Sequence, residues 1–557
     1  MPTPKQDTKY IFVSGGVLSS LGKGITTASL GLLLQAKGYQ VTVVKCENYL
    51  NLDAGLINPI EHGDAFLCED GTEADMDLGN YERFLNRNLG RHNFVTMGQI
   101  YKSVIDRERN FGYEGEDVEA IPHVTDEIIS RIKFAAQKDK ADICLIELGG
   151  TAGEYQNVLY YEASRIMKLS HEDTVIHVHV SYLPTPSHIN EPKTKPTQLS
   201  VKQLNAMGIQ PDFLIVRGEK ALDDRRRERL ALFCNVHADH VINNPNVDSI
   251  YEVPLVLHRQ GLDSKILHQL HLPDNHANLQ SWEKMVAQIK TPKSKKVTIA
   301  IVGKYFKTGE YNLADSYAAL IEALKHAATT QNVDLNLKFV NSELVEQNSA
   351  ETYLQNVNGI IVPIGWGARG TEGKIAAIKY ARQNKIPFLG LCYGMQLAVV
   401  EFARHVAGLP QANSEEIDPQ TPDPVIHIIP EQKRNLKDRA YGGTMRLGAW
   451  EATLDPQTYT YEIYDRYHGF KDKSRNLVSE RHRHRYEFND DYAQLLTQKG
   501  LVIAGRSVKE KLVEFIELPK DKHPFFLATQ GHPEYKSRPL RPHPLFLEFI
   551  KKTTEIN

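Results

Sequence analysis

Short apolar runs alternate with amphipathic stretches along most of the chain. In the first half, residues 10–13, 41–44, 143–147, 175–180 and 213–216 are near-continuous apolar segments of strand length. Between them, 28–37 and 125–137 carry helical periodicity. Strands that are apolar on both faces predict a parallel sheet covered by helices on both sides. From 271 to 296 the pattern loosens into PDNHANLQSW and then IKTPKSKK, a polar, Pro-broken and basic stretch that reads as a linker. A second series follows, with strands expected over 297–302, 359–362 and 387–391 and a helix over 314–328. The expected fold class is α/β, with an N-terminal P-loop/Rossmann-like parallel-sheet domain over 1–270, a linker over 271–296, and a second α/β domain over 297–557.

A chain of 557 residues is too long for one ordinary core, and two to four domains are the prior. Its 41% hydrophobic and 24% charged residues exclude a disordered chain, and a net charge of −3 gives no global sign of a nucleic-acid or membrane-surface binder. Five cysteines with no CxxC pair disfavour a disulfide scaffold or zinc ribbon and suit a reducing compartment. The opening MPTPKQDTKY has no apolar signal core, and no apolar run approaches membrane-span length. A cytoplasmic enzyme is expected.

The first strand runs into SGGVLSSLGKGITTASL. Glycines 15, 16, 22 and 24 permit tight turns, Lys23 supplies a cation, and the N–H groups of the helix start form an anion site. The stretch departs from the usual phosphate-loop pattern, because Gly24 stands where Ser or Thr normally follows the Lys. A plain Gly-rich turn is the competing reading; the strand–loop–helix context favours nucleotide phosphates. Such a site takes a divalent metal on one or two carboxylates, and Asp77 and Glu147 are the candidates. Glu147 ends the apolar run ICLIE, at the carboxyl end of a strand where α/β sheets bind ligands.

In the second half, PFLGLCYGMQ has the form of a nucleophile elbow with Cys392 in the place of serine. The helix start beyond Cys392 favours the thiolate, and the Tyr393 N–H points toward a developing oxyanion. In ATQGHPEY, His532 and Glu534 are two apart and project to one side of an extended segment, the geometry for a base and its orienting carboxylate. His177 and His179 share a strand face but lack a third ligand, so no zinc is assigned. The run ERHRHR (480–485) lacks interleaved aromatics and is not read as an RNA-binding stripe.

These segments together resemble the glutamine-dependent CTP synthases. EDGTEADMDLGNYERF, ELGGTAGE, KTKPTQ and ALFCNV are similar, in order, to that family's synthetase (amidoligase) half. GARGTEGK, GLCYGMQ, ANSEE, GGTMRLG, ERHRHRYE and GHPE resemble its class-I glutamine amidotransferase half. The resemblance implies ATP-dependent amination of UTP to CTP through a 4-phosphorylated UTP, with ammonia released from glutamine at a Cys392 thioester and passed internally. It implies that Ser20, Leu21, Gly22, Lys23, Gly24 and Ile25 bind ATP phosphates, that Asp77 and Glu147 hold Mg2+, and that Lys23 and Lys45 neutralise the transferred phosphoryl group. Ser19, Lys193, Thr194, Lys195, Pro196, Thr197, Gln198 and Arg229 are implied to contact UTP. Gly365 and Tyr393 would form the oxyanion hole, and Gln396, Glu416 and Arg485 would hold the glutamine head. Arg369, Gly370 and Glu372 match the segment through which GTP activates the reaction. A homotetramer is implied, with no nucleic acid and no membrane.

Several positions depart from the family pattern. Ile364 and Trp366 interrupt a usual VPGGFG; a left-handed requirement at 364 would strain a β-branched residue. Gly531 replaces an aromatic beside the base, Asn80 a histidine, and Gln156 a carboxylate at the cytosine of CTP. Glu47 and Asn48 alter the surroundings of Lys45, and Arg229 replaces a lysine. The alternative reading is a divergent paralogue that aminates a modified pyrimidine nucleotide or uses mainly free ammonia. A nucleotide-binding structural protein without turnover would be expected to have lost one of Lys23, Asp77, Glu147, Cys392 or His532; all are present.

Overall fold

Seven parallel strands carry the sheet of the first half: β1 (Lys9–Gly15), β2 (Val41–Glu47), β3 (Phe94–Thr96), β4 (Ile143–Leu148), β5 (Val175–Tyr182), β6 (Phe213–Gly218) and β7 (Val241–Pro245). Their order is β3-β2-β4-β1-β5-β6-β7, all parallel. This computed structural model describes residues 8–555, apart from 59–62, 64, 171–173, 305–306, 309–310 and 313. The five strands expected from apolar runs are present and slightly longer. The two others, FVT and VINNP, are too short or too polar for the pattern to signal. β1 lies at the centre, where the strand order changes direction, so the loops after β1 and β4 open at the crevice that α/β sheets use for ligands.

The second half forms a nine-stranded mixed sheet. It comprises β8 (Lys295–Gly303), β9 (Val333–Asn341), β10 (Gly359–Val362), β11 (Phe388–Leu391), β12 (Arg446–Leu454), β13 (Leu477–His484), β14 (Val502–Ser507), β15 (Val513–Glu517) and β16 (Phe526–Thr529). The order is β9-β8-β10-β11-β16-β15-β14-β12-β13. Its first five members are parallel and the rest antiparallel. The antiparallel half reads weakly in the sequence because β13 is rich in charged and polar residues.

The chain divides into two compact units, Met1–Leu52 with Asp77–Ala287 and Asp53–Met76 with Gln288–Asn557. Within the segment expected to be linker, Gln280–Lys290 is helical and buries Trp282, Met285 and Val286. The excursion 53–76 packs on the second unit through specific polar contacts. Ala449 N–H donates to Glu69 O at 2.9 Å and Tyr535 OH to Ala65 O at 3.1 Å. Arg481 reaches Glu69 Oε2 at 2.9 Å, and Arg483 reaches Glu73 Oε1 at 2.6 Å.

β13 is buried along its whole length. The arginines and histidines of 480–485 therefore face protein, not a polyanion: His482 pairs with Glu514 at 2.6 Å and Arg446 meets the same carboxylate at 2.7 Å. Both partners of Arg483–Glu73 are almost completely covered. Removing one partner of such a pair strands a buried charge. Glu73→Ala is expected to destabilise this unit by about 3–5 kcal/mol, read as a fall in its denaturant midpoint; an unchanged midpoint would contradict the pairing. No helix among the described residues is long and apolar enough to cross a membrane.

Candidate active sites

In the first unit, the loop after β1 has left-handed backbone at Val17, Ser20 and Gly22, and Gly22 precedes α1 (Lys23–Ala36). Ser19 and Ser20 are exposed, whereas Leu21, Lys23 and Gly24 are buried. Lys23 Nζ donates to Gly150 O at 2.8 Å, and burial lowers its pKa. A side chain at position 24 would collide with Asp77, because a Cβ there would lie 2.1 Å from Oδ1. That contact accounts for glycine where phosphate loops usually carry Ser or Thr. Gly22 and Ile25 also line a cavity of about 300 Å³ with Arg217, Asn244, Asn246, Val247, Ile250 and Val253.

Lys45, at the end of β2, is the hub of a buried charge cluster. Its Nζ lies 2.6 Å from Asp77 Oδ2, 2.8 Å from Glu147 Oε1 and 3.2 Å from Glu47 Oε1. Burial works against the ammonium, but the three carboxylates hold its pKa well above the ordinary value. Burial raises Glu147; it opposes ionisation of Asp77 too, yet Lys45 and Asn80 hold Asp77 below its usual range. Tyr81 OH donates to the second oxygen of Glu147. Asp77 and Tyr81 lie on α2 (Asp77–Leu85). Asn80 donates to Asp77 Oδ1 at 3.2 Å and accepts from Arg83 at 2.8 Å.

Two hard-oxygen carboxylates beside a phosphate loop are the donor set Mg2+ takes, with phosphates and water completing its octahedron. Asp77 and Glu147 fit that chemistry: their oxygens converge on one point, where Lys45 Nζ is the cation. Among the described residues no group of three or more His, Cys, Asp or Glu side chains is arranged around a metal.

α3 (Lys195–Ala206) starts at the KTKPTQ segment, with Pro196 in its first turn. Lys193 pairs with Glu191 at 2.9 Å, Gln198 donates to Thr194 at 3.0 Å, and Thr197 donates to Tyr182 O at 2.8 Å; Lys195 is exposed. α3 is tied to the phosphate loop through His179, whose ring bonds Ser200 Oγ at 2.5 Å and Ser14 Oγ at 2.9 Å. Burial pushes His179 and His177 down to about 3. His177 stacks on Phe12. His179 is thus a hydrogen-bonding group and His177 a packing group. Arg229, on α4 (Asp224–Cys234), is exposed and lies over the Phe233 ring.

In the second unit, Cys392 occupies the turn between β11 and α6 (Tyr393–His405) with φ 52° and ψ −102°. This conformation is costly for a non-glycine residue and is kept only where the surroundings over-determine it. Here Cys392 N–H donates to Thr529 O at 2.8 Å. Gly394 must be glycine, since a Cβ would lie 1.9 Å from Val362 O. His532 Nδ1 donates to Glu534 Oε1 at 2.7 Å, and Nε2 makes no ordinary hydrogen bond. Burial alone would depress this imidazole, but Glu534 and then the Cys392 sulfur push it up to about 10. At neutral pH the electrostatics therefore favour an imidazolium beside the sulfur.

The sulfur opens on a cavity of about 300 Å³ lined by Gly55, Leu56, Trp366, Tyr393, Gln396, Glu416, Tyr441, Met445, His484, Arg485 and Tyr486. Gln396, Glu416 and Arg485 thus meet in one cavity. Glu416 Oε1 accepts from Gly367 N–H at 2.8 Å, and burial raises its pKa. Arg485 donates to Gln432 at 2.5 Å and Tyr441 O at 2.6 Å, while Gln396 Oε1 is buried with no hydrogen-bond partner among the described residues. Gly365 is buried in the loop after β10. Arg369 is exposed and pairs with Glu343 at 3.2 Å, Gly370 is left-handed at the start of α5 (Thr371–Gln383), and Glu372 takes two bonds from Arg404.

A family model described as CTP synthase N-terminus matches residues 9–272, and one described as glutamine amidotransferase class-I matches 312–552. A CTP synthase of Caldanaerobacter subterraneus subsp. tengcongensis is 50% identical over 98% of this chain and 98% of its own. One from Carboxydothermus hydrogenoformans is 47% identical over 99% of each. The chain belongs to the CTP synthase family. A solved Trypanosoma brucei CTPS glutaminase domain with bound acivicin is 35% identical, covering 47% of this chain and 95% of that one, with a TM-score of 0.41.

CTP synthases are glutamine-hydrolysing ligases, and the departures of this member have local explanations. Ile364 is not left-handed, so the strain expected there is absent; its side chain packs in the core. Trp366 walls the cavity and stacks under Arg483, with 4.5 Å from guanidinium to ring. At position 531 a Cβ would lie 2.7 Å from Glu480 Cβ, so an aromatic does not fit that backbone unless Glu480 moves. Gln156 sits exposed in a turn. Gly55 and Leu56 were not legible as cavity residues, because they precede Cys392 by more than three hundred positions and carry no motif. Arg217 and Asn244 were missed for a similar reason: Arg217 closes an ordinary apolar strand and Asn244 lies in the short polar strand VINNP, and neither carries a motif.

Proposed function

We propose that this CTP synthase aminates UTP in an ATP-dependent reaction fed by its own glutaminase unit. Carrying this reading is the presence in one chain of a Lys45–Asp77–Glu147 cluster behind a phosphate loop and a buried Cys392–His532–Glu534 set whose Cys392 lines a cavity of the second unit. Residues 20–25 cradle the ATP phosphates. Asp77 and Glu147 would hold Mg2+, which when bound supplies Lewis-acid neutralisation of phosphate charge. Lys23 and Lys45 add cationic charge toward the phosphoryl group as it passes from ATP to O4 of UTP. Ser19, Lys193–Gln198 and Arg229 hold the uridine nucleotide. Leu232 and Phe233 lie exposed on the Arg229 helix, apolar surface of the kind that subunit contacts cover, and the reading includes a homotetramer.

In the second unit, the Cys392 thiolate attacks the glutamine amide carbon, and the oxyanion forms opposite the Gly365 and Tyr393 N–H groups. His532 gives its proton to the departing nitrogen, leaving a thioester and ammonia. It then takes a proton from water as the thioester is hydrolysed to glutamate. Gln396, Glu416 and Arg485 orient the amino-acid head. Ammonia attacks C4 of the phosphorylated uracil ring and phosphate leaves. Arg369, Gly370 and Glu372 form the segment through which GTP activates hydrolysis.

The test follows conversion of the uracil to the cytosine chromophore with UTP, ATP and Mg2+, supplied with glutamine or ammonium, with and without GTP. Turnover with both nitrogen sources is expected, GTP accelerating only the first. No conversion with ammonium would end the reading. Gln156 in place of a carboxylate leads to weak inhibition by added CTP in the same assay, and potent inhibition would refute that role.

A further inference from the structure

The loop that carries Gly365 is held from behind by two buried lysines. Lys374, on α5, has no exposed surface, and its Nζ donates to Pro363 O at 3.0 Å and Ile364 O at 3.5 Å. Tyr317 OH donates to the same Ile364 carbonyl at 3.3 Å. Lys304 donates to Gly367 O at 2.7 Å and Arg369 O at 3.1 Å. Both ammonium groups also lie over the Tyr393 ring, at 5.5 Å for Lys304 and 5.2 Å for Lys374.

In a trans peptide the C=O of one residue and the N–H of the next point in opposite directions. Lys374 and Tyr317 draw the Ile364 carbonyl inward, so the Gly365 N–H is turned the other way. That N–H has no hydrogen-bond partner among the described residues. The same contact explains the glycine, since a Cβ at 365 would lie 2.7 Å from Lys374 Nζ. A buried amine is costly unless its hydrogen bonds to the carbonyls are kept. Burial, and then Lys304, push Lys374 well below the ordinary lysine range, while the Cys392 charge draws it up. An apolar side chain would fill this space with no polar group to satisfy, so the donor is retained for what it does to the loop.

We propose that Lys374 is a positioning residue of the glutaminase reaction: by fixing the Pro363 and Ile364 carbonyls inward, it presents the Gly365 N–H to the oxyanion formed at Cys392. The proposal rests on the glutaminase reading above. Lys374 touches no substrate; it acts through the peptide it orients.

Lys374→Met keeps the length of the side chain and removes the donor. Losing one oxyanion donor costs about 100-fold in kcat, and that fall is expected for glutamine hydrolysis, with KM for glutamine and ammonium-dependent CTP formation nearly unchanged. Affinity for the aldehyde analogue of glutamine, which forms a hemithioacetal with an oxyanion, is expected to fall in parallel. Alkylation of Cys392 by iodoacetamide, which forms no oxyanion, keeps its rate. A kcat close to the parent value overturns the proposal, and so does an equal slowing of alkylation, which would place the effect on the thiolate. Should Lys374→Met fail to fold, Tyr317→Phe removes one hydroxyl from the same carbonyl; a smaller fall with the same pattern supports the proposal and no change overturns it. Cys392→Ala, assayed alongside, separates the two readings: hydrolysis surviving there removes the glutaminase assignment itself.

Discussion

Cys392→Ala will stop CTP formation from glutamine and leave formation from ammonium intact. The expected loss is at least about 10⁴-fold in kcat/KM, because a methyl group offers no nucleophile and catalytic residues that act as a unit fail together. Within the second-unit cavity no other thiol or serine lies among the lining residues. The strained backbone at 392 exists to lift a side chain above the sheet edge, and alanine accepts it no worse than cysteine, so the fold is expected to survive. The ammonium reaction needs only the first unit's cluster, which shares no residue with the thiol site. Loss of both reactions would show that the two chemistries are not separable; survival of both would remove Cys392 from the mechanism.

Asp77→Asn will abolish turnover with either nitrogen source. The variant keeps the shape that lies against Gly24 but removes the negative charge 2.6 Å from Lys45. Two effects combine: Lys45 loses one of its three carboxylate partners, and the hard-oxygen pair suited to Mg2+ is reduced to Glu147 alone. Metal-assisted charge neutralisation is worth several kcal/mol at the transition state, so a fall of about 10³-fold is expected in both assays. An unchanged thermal midpoint would place the loss in the chemistry. Ammonium-dependent turnover close to the parent rate would rule out Asp77 as an essential ligand.

These two predictions differ in how far they were legible beforehand. The Cys392 elbow is local: a strand, a turn and a helix follow one another in sequence, and the small residues that allow the turn are adjacent. His532 with Glu534 is equally local. The Lys45 hub is not, because its partners come from three separate segments. Asp77 is a candidate metal ligand by sequence, but on its own it reads equally as an acidic loop residue, and only the fold shows it against Gly24 of the phosphate loop. Lys374 carried no signal of a role beyond its place in GARGTEGK, since a lysine on an amphipathic helix is ordinarily solvated. The ERHRHR run shows the converse error that composition invites: its side chains are inside, Glu480 answered by Tyr464 and His543 and the arginines and histidines by carboxylates, carbonyls or side-chain oxygens.

By itself, the order of residues determined the alternation of buried strands and helices, the phosphate loop, the thiol elbow and the family, because each rests on neighbours within about ten positions and on the period of the pleat or the helix turn. Tertiary structure alone decided that the excursion 53–76 belongs with the glutaminase unit and lends Gly55 and Leu56 to its cavity. It also decided which charges meet on Lys45 and that Lys374 holds the loop of Gly365 from behind. Those outcomes depend on side chains brought together from distant positions, where pairing is set by packing and by the cost of leaving a buried charge unanswered, and neither leaves a periodic trace in the chain.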